Sequence, residues 1–191
     1  MVKRFGFDID GVLTAEGRGD ENIWTRYLAR YLDDRVEIKE NSYDFCRTYD
    51  ISRSTLEDFL QKYLTDIYAS VPPAPAADAV LKELKENNSR IILITARDSR
   101  HRRTTESWLE EHGIVYDRLI HDSDKARRAE QLDLELFVDD KKENVISLNE
   151  IGVPVLLFDR HHNQDLDESH YLARVESWSE IKRIIEERFY L

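Results

Sequence analysis

The chain has a single cysteine, Cys46, among its 191 residues. No internal disulfide can form, which excludes the stapled scaffolds of small secreted proteins. No apolar run approaches the roughly 20 residues needed to cross a bilayer. The opening residues, MVKRFGFDID, lack the charged-then-apolar order and the small-residue cleavage site of a secretory leader. A cytoplasmic protein with no membrane partner is therefore expected. Positive charge is also short: 28 Lys and Arg stand against 39 Asp and Glu, a net charge of −11. Such a surface repels phosphate backbones, so a nucleic-acid polymer is not an expected partner. A small anionic substrate remains open, because the charge in a pocket can differ from the net charge.

What is present is a globular composition, 41% hydrophobic and 35% charged. The length suits one core domain with room for an inserted module. Residues 2–8 (VKRFGFD) read as a short apolar strand that ends in an acid. Residues 91–95 (IILIT) form a continuous β-branched run of the kind buried on both faces of a parallel sheet. Further strands are expected at 116–120, 135–139 and 154–158. Helical patterns lie between them. Pro75 is placed to open one, with Ala77, Val80, Leu81 and Leu84 on one face. Thr105, Trp108, Leu109 and His112 repeat the spacing before Gly113, a good helix stop. Ser177-Trp178-Ser179-Glu180 has the form of a capping box for a last helix, with Trp178, Ile181, Ile185 and Phe189 as its buried stripe. Strands alternating with helices predict a Rossmann-like parallel α/β sheet flanked by helices. Residues 15–70 break the alternation and predict helices at about 21–33 and 54–69. The segment 71–75 (VPPAP) reads as a stiff connector.

In open parallel sheets, chemistry collects at the carboxyl ends of the strands. Asp8, Thr95 and Asp139 all stand where an apolar run stops. In Asp8-Ile9-Asp10-Gly11-Val12-Leu13-Thr14, two acids two residues apart can share a direction on an extended backbone. One carboxylate is then available to attack phosphorus and the other to protonate a leaving oxygen. Taken alone, the same pattern also serves calcium loops and plain turns. Thr95, Ala96 and Arg97 offer a hydroxyl and backbone N–H groups at a strand end, as phosphate binding and ordinary helix capping both require. Adjacent acids Asp139 and Asp140 at a strand end suit Mg²⁺ or a solvated turn. Lys125, 14 residues before Asp139, can hold a phosphate as a point charge, with Arg127 and Arg128 as rivals.

The order of these signals carries more than any one of them. Asp-x-Asp, then Thr, then Lys, then Asp-Asp resembles the haloacid dehalogenase-like hydrolase superfamily over roughly 1–14 and 76–160. The segments LITARDSRHRRTTESWLEEHGI and LFVDDKKENV are similar to its 5′(3′)-deoxyribonucleotidase-like branch. The resemblance implies a core at 1–14 and 76–191 with a small helical cap at 15–75. It also implies a Mg²⁺-dependent phosphatase that hydrolyses a small phosphate monoester through an aspartyl-phosphate. Asp8 would be the nucleophile and Asp10 the acid and base. Thr95, Ala96, Arg97 and Lys125 would hold substrate or phosphate. Asp8, Asp10 (through its backbone carbonyl), Asp139 and Asp140 would hold the metal. Asp10 favours phosphate over carbon–halogen chemistry, since a departing halide needs no proton. A nucleoside monophosphate is the expected substrate. Trp24, Tyr27, Tyr43, Phe45, Arg47 and Tyr49 are the candidate cap contacts, although aromatic residues there equally suit the cap's own core. A sugar phosphate, a phosphotransferase using the same intermediate and a non-catalytic binding protein are the alternatives. His161-His162 could bind a metal and the RHRR run at 100–103 an anion, but both read first as solvated; His121, near an expected strand end, reads as bland, with reach to the rim as the lesser reading.

Overall fold

The structure, a computed structural model, describes residues 2–190; Met1 and Leu191, the outermost residues of the expected core, lie outside the described residues. Six strands form one wholly parallel sheet in the order β3-β2-β1-β4-β5-β6. They are β1 (Arg4–Phe7), β2 (Arg90–Thr95), β3 (Arg118–His121), β4 (Leu136–Asp139), β5 (Val155–Phe158) and β6 (Ala173–Val175). The order reverses between β1 and β4, the place where an open α/β sheet leaves a crevice. The helices are α1 (Ile23–Leu32), α2 (Phe45–Tyr49), α3 (Arg53–Ser70), α4 (Ala77–Glu86), α5 (Arg102–Glu111), α6 (Lys125–Gln131), α7 (Lys142–Glu150) and α8 (Trp178–Phe189).

Strand periodicity sorts the core into two layers. Phe5, Phe7, Ile91, Leu93, Leu136 and Val138 point to one face and pack with α4, α5 and α8. Ile92, Ile94, Phe137, Val155 and Leu157 point to the other and pack with Ala129 of α6 and Val145 and Leu148 of α7. Each such large side chain, fully buried, stabilises by about 1.5–3 kcal/mol. Gly6 stays small for a packing reason. A Cβ there would lie 2.3 Å from the Phe137 ring, which closes over the backbone of β1. Trp178 at the start of α8 stacks on Phe7 with ring centroids 5.3 Å apart and donates its indole N–H to Val12 O at 3.0 Å. One side chain thus anchors both the first strand and the loop that follows it.

The expected strands are all present: 2–8, 135–139 and 154–158 have ends trimmed by one or two residues, 91–95 gains Arg90, and 116–120 moves to Arg118–His121. β6 was not foreseen. It has three residues on the sheet edge, with no apolar run to mark it. Pro75 does not open α4, which begins at Ala77 behind Ala76 in left-handed geometry. The last helix is capped as expected by Ser177, whose hydroxyl accepts Glu180 N–H at 3.3 Å. The Glu180 carboxylate reaches back to Glu176 N–H, not to that of Ser177.

Between β1 and α4 the chain forms α1, α2 and α3. Their contact faces are aromatic: Trp24, Tyr27, Tyr31, Phe59, Tyr63 and Tyr68. The segment leaves and rejoins the sheet along one antiparallel crossing. Ala15 N–H donates to Pro72 O at 2.8 Å, and Ala74 N–H donates to Leu13 O at 2.7 Å. Trp108 of α5 adds a bond from its indole N–H to Val71 O at 2.7 Å.

Candidate active site

Four stretches far apart in sequence meet at the carboxyl ends of β1, β2 and β4. Asp8 follows β1 directly. Its Oδ1 accepts Ile9 N–H at 2.7 Å, and its Oδ2 lies 2.6 Å from Lys125 Nζ. The chain then turns sharply at Gly11, whose φ of +74° suits glycine. That turn is tied by Gly11 N–H donating to Thr14 Oγ1 at 2.9 Å. It also leaves room for the Asp140 carboxylate, because a Cβ on Gly11 would meet Asp140 Oδ2 at 2.1 Å.

Asp139 ends β4 and is fully buried. Its carboxylate accepts from Lys125 Nζ at 2.8 Å, Lys141 N–H at 2.9 Å and Asn144 Nδ2 at 3.1 Å. Asp8, Asp139 and Asp140 each offer an oxygen, and these oxygens lie within 4.8 Å of one another. Burial pushes the Asp8 carboxyl well above the usual carboxylate range. Lys125 opposes that shift, while Asp139, Asp140 and Asp10 add to it. One ammonium among three buried acids leaves an excess of negative charge, which a divalent cation would offset. The donor set is all oxygen, and that suits a hard cation. Arg127 and Arg128 do not compete for the place of Lys125, since both are paired with Asp122.

Thr95 ends β2, fully buried, and its Oγ1 accepts Arg97 N–H at 3.1 Å. Arg97 does not present a free guanidinium. Its Nη2 donates to Asp10 Oδ1 at 2.7 Å and its Nε to Oδ2 at 2.9 Å, while the ring of Tyr68 from α3 lies 3.9 Å from its Cζ.

Three comparisons bear on this constellation. Residues 1–189 match the family described as 5′ nucleotidase, deoxy (pyrimidine), cytosolic type C protein. The chain belongs to this family. With it comes membership of the haloacid dehalogenase-like superfamily, in its 5′(3′)-deoxyribonucleotidase-like branch, and of the hydrolases acting on phosphate monoesters. A nucleotidase of Clostridium acetobutylicum is 26% identical over 186 residues, covering 95% of this chain and 93% of its own length. A candidate nucleotidase of Halalkalibacterium halodurans is 28% identical over 191 residues, covering 97% and 93%. Among solved structures, a haloacid dehalogenase-like protein of unknown function from Agrobacterium tumefaciens superposes with a TM-score of 0.70. It is 14% identical and covers 99% of this chain and 100% of its own, so it speaks to the fold alone.

In this member of the nucleotidase family, most of the candidate cap contacts face each other. Trp24 packs on Phe45 and Tyr68, Tyr27 on Tyr63, and Phe45 on Tyr49, whose hydroxyl meets Thr25 Oγ1 at 3.0 Å. Arg47 pairs with Glu40 at the surface. Tyr43 is the exception. Its ring lies 4.4 Å from Lys141 Nζ and 5.2 Å from the His162 ring, so it bridges to the sheet side of the molecule.

Several residues at the site carry no local signal in the sequence. His162 was expected to be solvated, yet its Nε2 lies 3.3 Å from Asp140 Oδ2 and its side chain is 10% exposed. Asn163 is buried and donates to Asp140 O at 2.7 Å and Phe158 O at 2.8 Å, holding the loop after β5 against the acids. Arg160 donates to Gly11 O. Glu16 has its carboxyl pushed up to about 7 by burial, by Asp10 and by Asp140. His121 ends β3, and its Nδ1–H donates to Arg97 O at 2.9 Å. The run at 100–103 is exposed except for His101, which is buried edge-on to Tyr68. Among the described residues no helix is long and apolar enough to cross a membrane.

Proposed function

We propose that the chain is a Mg²⁺-dependent nucleoside monophosphatase that works through a phosphorylated Asp8. The observation that carries this reading is the Lys125 ammonium seated between Asp8 and Asp139, 2.6 and 2.8 Å away, beside the third acid Asp140. Lys125 orients the Asp8 carboxylate and offsets the charge that gathers when a phosphoryl group arrives. The Asp8 carboxylate attacks phosphorus as the ester P–O bond breaks, and Asp10, two residues on, gives a proton to the departing ester oxygen. Asp10 then takes a proton from the water that releases phosphate. The Thr95 Oγ–H and the N–H of Ala96, at the strand-to-helix turn, suit the phosphoryl oxygens, while the Arg97 N–H stays on Thr95 Oγ1.

Asp8, Asp139, Asp140 and the backbone carbonyl of Asp10 would hold Mg²⁺, which when bound supplies positive charge against the transferring phosphoryl oxygens. Residues 15–75 act as a cap over a core made of 1–14 and 76–191, with the crossing at Ala15–Pro72 and Leu13–Ala74 as its hinge. The nucleotide assignment rests on the family and on its nucleotidase relatives.

The test is phosphate release with Mg²⁺ from nucleoside 5′- and 3′-monophosphates and from sugar phosphates, with Asp8→Asn alongside. Turnover by the wild type and a loss of several orders of magnitude in Asp8→Asn is the expected result. An active Asp8→Asn protein would overturn the mechanism. Preference for a sugar phosphate would overturn the substrate.

A further inference from the structure

We propose that Arg97 is a positioning residue that acts through Asp10 and couples it to helix α3, and is not a ligand of the transferring phosphoryl group. The inference rests on Asp10 being the acid and base of the reaction proposed above. From the sequence, Arg97 stands among the residues expected to hold substrate or phosphate, because it follows Thr95. Its surroundings assign it elsewhere.

The side chain has no exposure, whereas that of Asp10 is 28% exposed. The fork is committed on both edges. Nε and Nη2 take the two oxygens of Asp10, and Nη1 faces Thr105 Oγ1 of α5 at 3.4 Å. One face of the guanidinium is covered by Tyr68, 3.9 Å away. The backbone is held as well, by Thr95 Oγ1 on the N–H and by His121 Nδ1 on the carbonyl. A phosphate could reach this guanidinium only by displacing a bidentate carboxylate, which is among the stronger polar contacts in proteins.

Asp10 in turn needs such a partner. Its side chain is partly exposed, and both of its oxygens are held by the Arg97 fork. As the bond between Asp8 Oδ and phosphorus forms and the ester P–O bond breaks, the proton on Asp10 passes to the departing oxygen. The alcohol leaves neutral, and Asp10 is left as a carboxylate in the Arg97 fork. Arg97 therefore fixes the direction of that proton and stabilises the anion the transfer leaves behind. Tyr68 belongs to α3, inside the proposed cap. The stack makes the placement of Asp10 depend on the cap being docked.

The test separates proton donation from phosphate binding by the ester used. p-Nitrophenol departs as a stable anion and needs little protonation; benzyl alcohol, of similar size, needs a proton. The ratio kcat/KM reports steps up to formation of the phosphoenzyme. Arg97→Met is expected to lower kcat/KM for benzyl phosphate by about 10²-fold, the scale of a lost general acid, and for p-nitrophenyl phosphate at least tenfold less. Arg97→Lys keeps charge without the fork and should restore part of the loss. In an Asp10→Asn background, Arg97→Met should cost less than about threefold further on benzyl phosphate, since both changes remove one function. Tyr68→Leu keeps an apolar side chain at this half-buried position and should show the same ester split at smaller size, which keeps the test decisive if Arg97→Met folds poorly.

Equal losses on both esters, or additive losses with Asp10→Asn, overturn the proposal while leaving the phosphatase reading in place. A wild-type protein that hydrolyses neither ester nor any nucleotide overturns both.

Discussion

Lys125 reaches from the first residue of α6 to Asp8, placing its Nζ 2.6 Å from Oδ2 with 1% of its side chain exposed. Burial works against its charge, but Asp139 and Asp8 outweigh that and raise its pKa above the ordinary lysine value. The ammonium therefore stays charged as a shared partner for two buried acids. Removing one partner of a buried ion pair costs about 3–5 kcal/mol, because the other charges stay behind. Lys125→Met is expected to destabilise the fold on that scale in metal-free buffer, measured by urea unfolding. Mg²⁺ should restore part of the loss, since it replaces the missing positive charge.

Metal binding should register as stability as well as activity. A cation that binds only the folded state at 100 times its Kd stabilises by about 2.7 kcal/mol. The melting temperature of the wild type is expected to rise with Mg²⁺ and to fall back on chelation. In Asp139→Asn most of that rise should vanish, because Asp139 is one of the three clustered acids. Calorimetry at a series of Mg²⁺ concentrations measures both.

Glu16 gives a pH signature of its own. Burial, then Asp10 and Asp140, lift its carboxyl from 4.5 to about 7 in the folded state. Between those values the folded protein holds a proton that the unfolded chain has lost, so stability falls as pH rises through that window and levels off above it. The effect is on the order of 1–3 kcal/mol. Glu16→Gln removes it. Relative to wild type, the variant should gain more stability at pH 8 than at pH 5, read as the difference of denaturation midpoints at the two pH values.

Gly11→Ala should damage the site more than the fold. Its φ of +74° penalises any side chain, at a cost of about 1–2 kcal/mol. The new Cβ would also meet Asp140 Oδ2 at 2.1 Å and push that carboxylate away from Asp8 and Asp139. Mg²⁺ affinity by titration calorimetry is expected to drop at least tenfold while unfolding shifts by only a few degrees.

Much of the site was legible because each residue stands at the end of an element with its own local signature. Asp8 and Asp139 close apolar strands, Thr95 closes a β-branched run, and Lys125 opens a helix. The sequence left Arg127 and Arg128 as rivals of Lys125, and the structure separates them by giving both arginines to Asp122. The residues missed or read as solvated are those whose place depends on a neighbour from elsewhere. His162 and Asn163 sit in a loop after β5 that has no apolar pattern, and only its fold back onto Asp140 gives them partners. Tyr68 looks like any aromatic on an amphipathic helix until Arg97 is found beneath it.

The sequence by itself determined the fold class, the family and the order of the acids, threonine and lysine, because local periodicity and strand ends are written in consecutive residues. Only the tertiary structure decided what those groups do to one another. Arg97 turns to Asp10, most of the cap aromatics turn inward, and Tyr43 crosses to Lys141 and His162. The reason is physical. A buried charge or ring takes the partner that the packing of distant segments brings within 3–5 Å, and no local pattern encodes that distance.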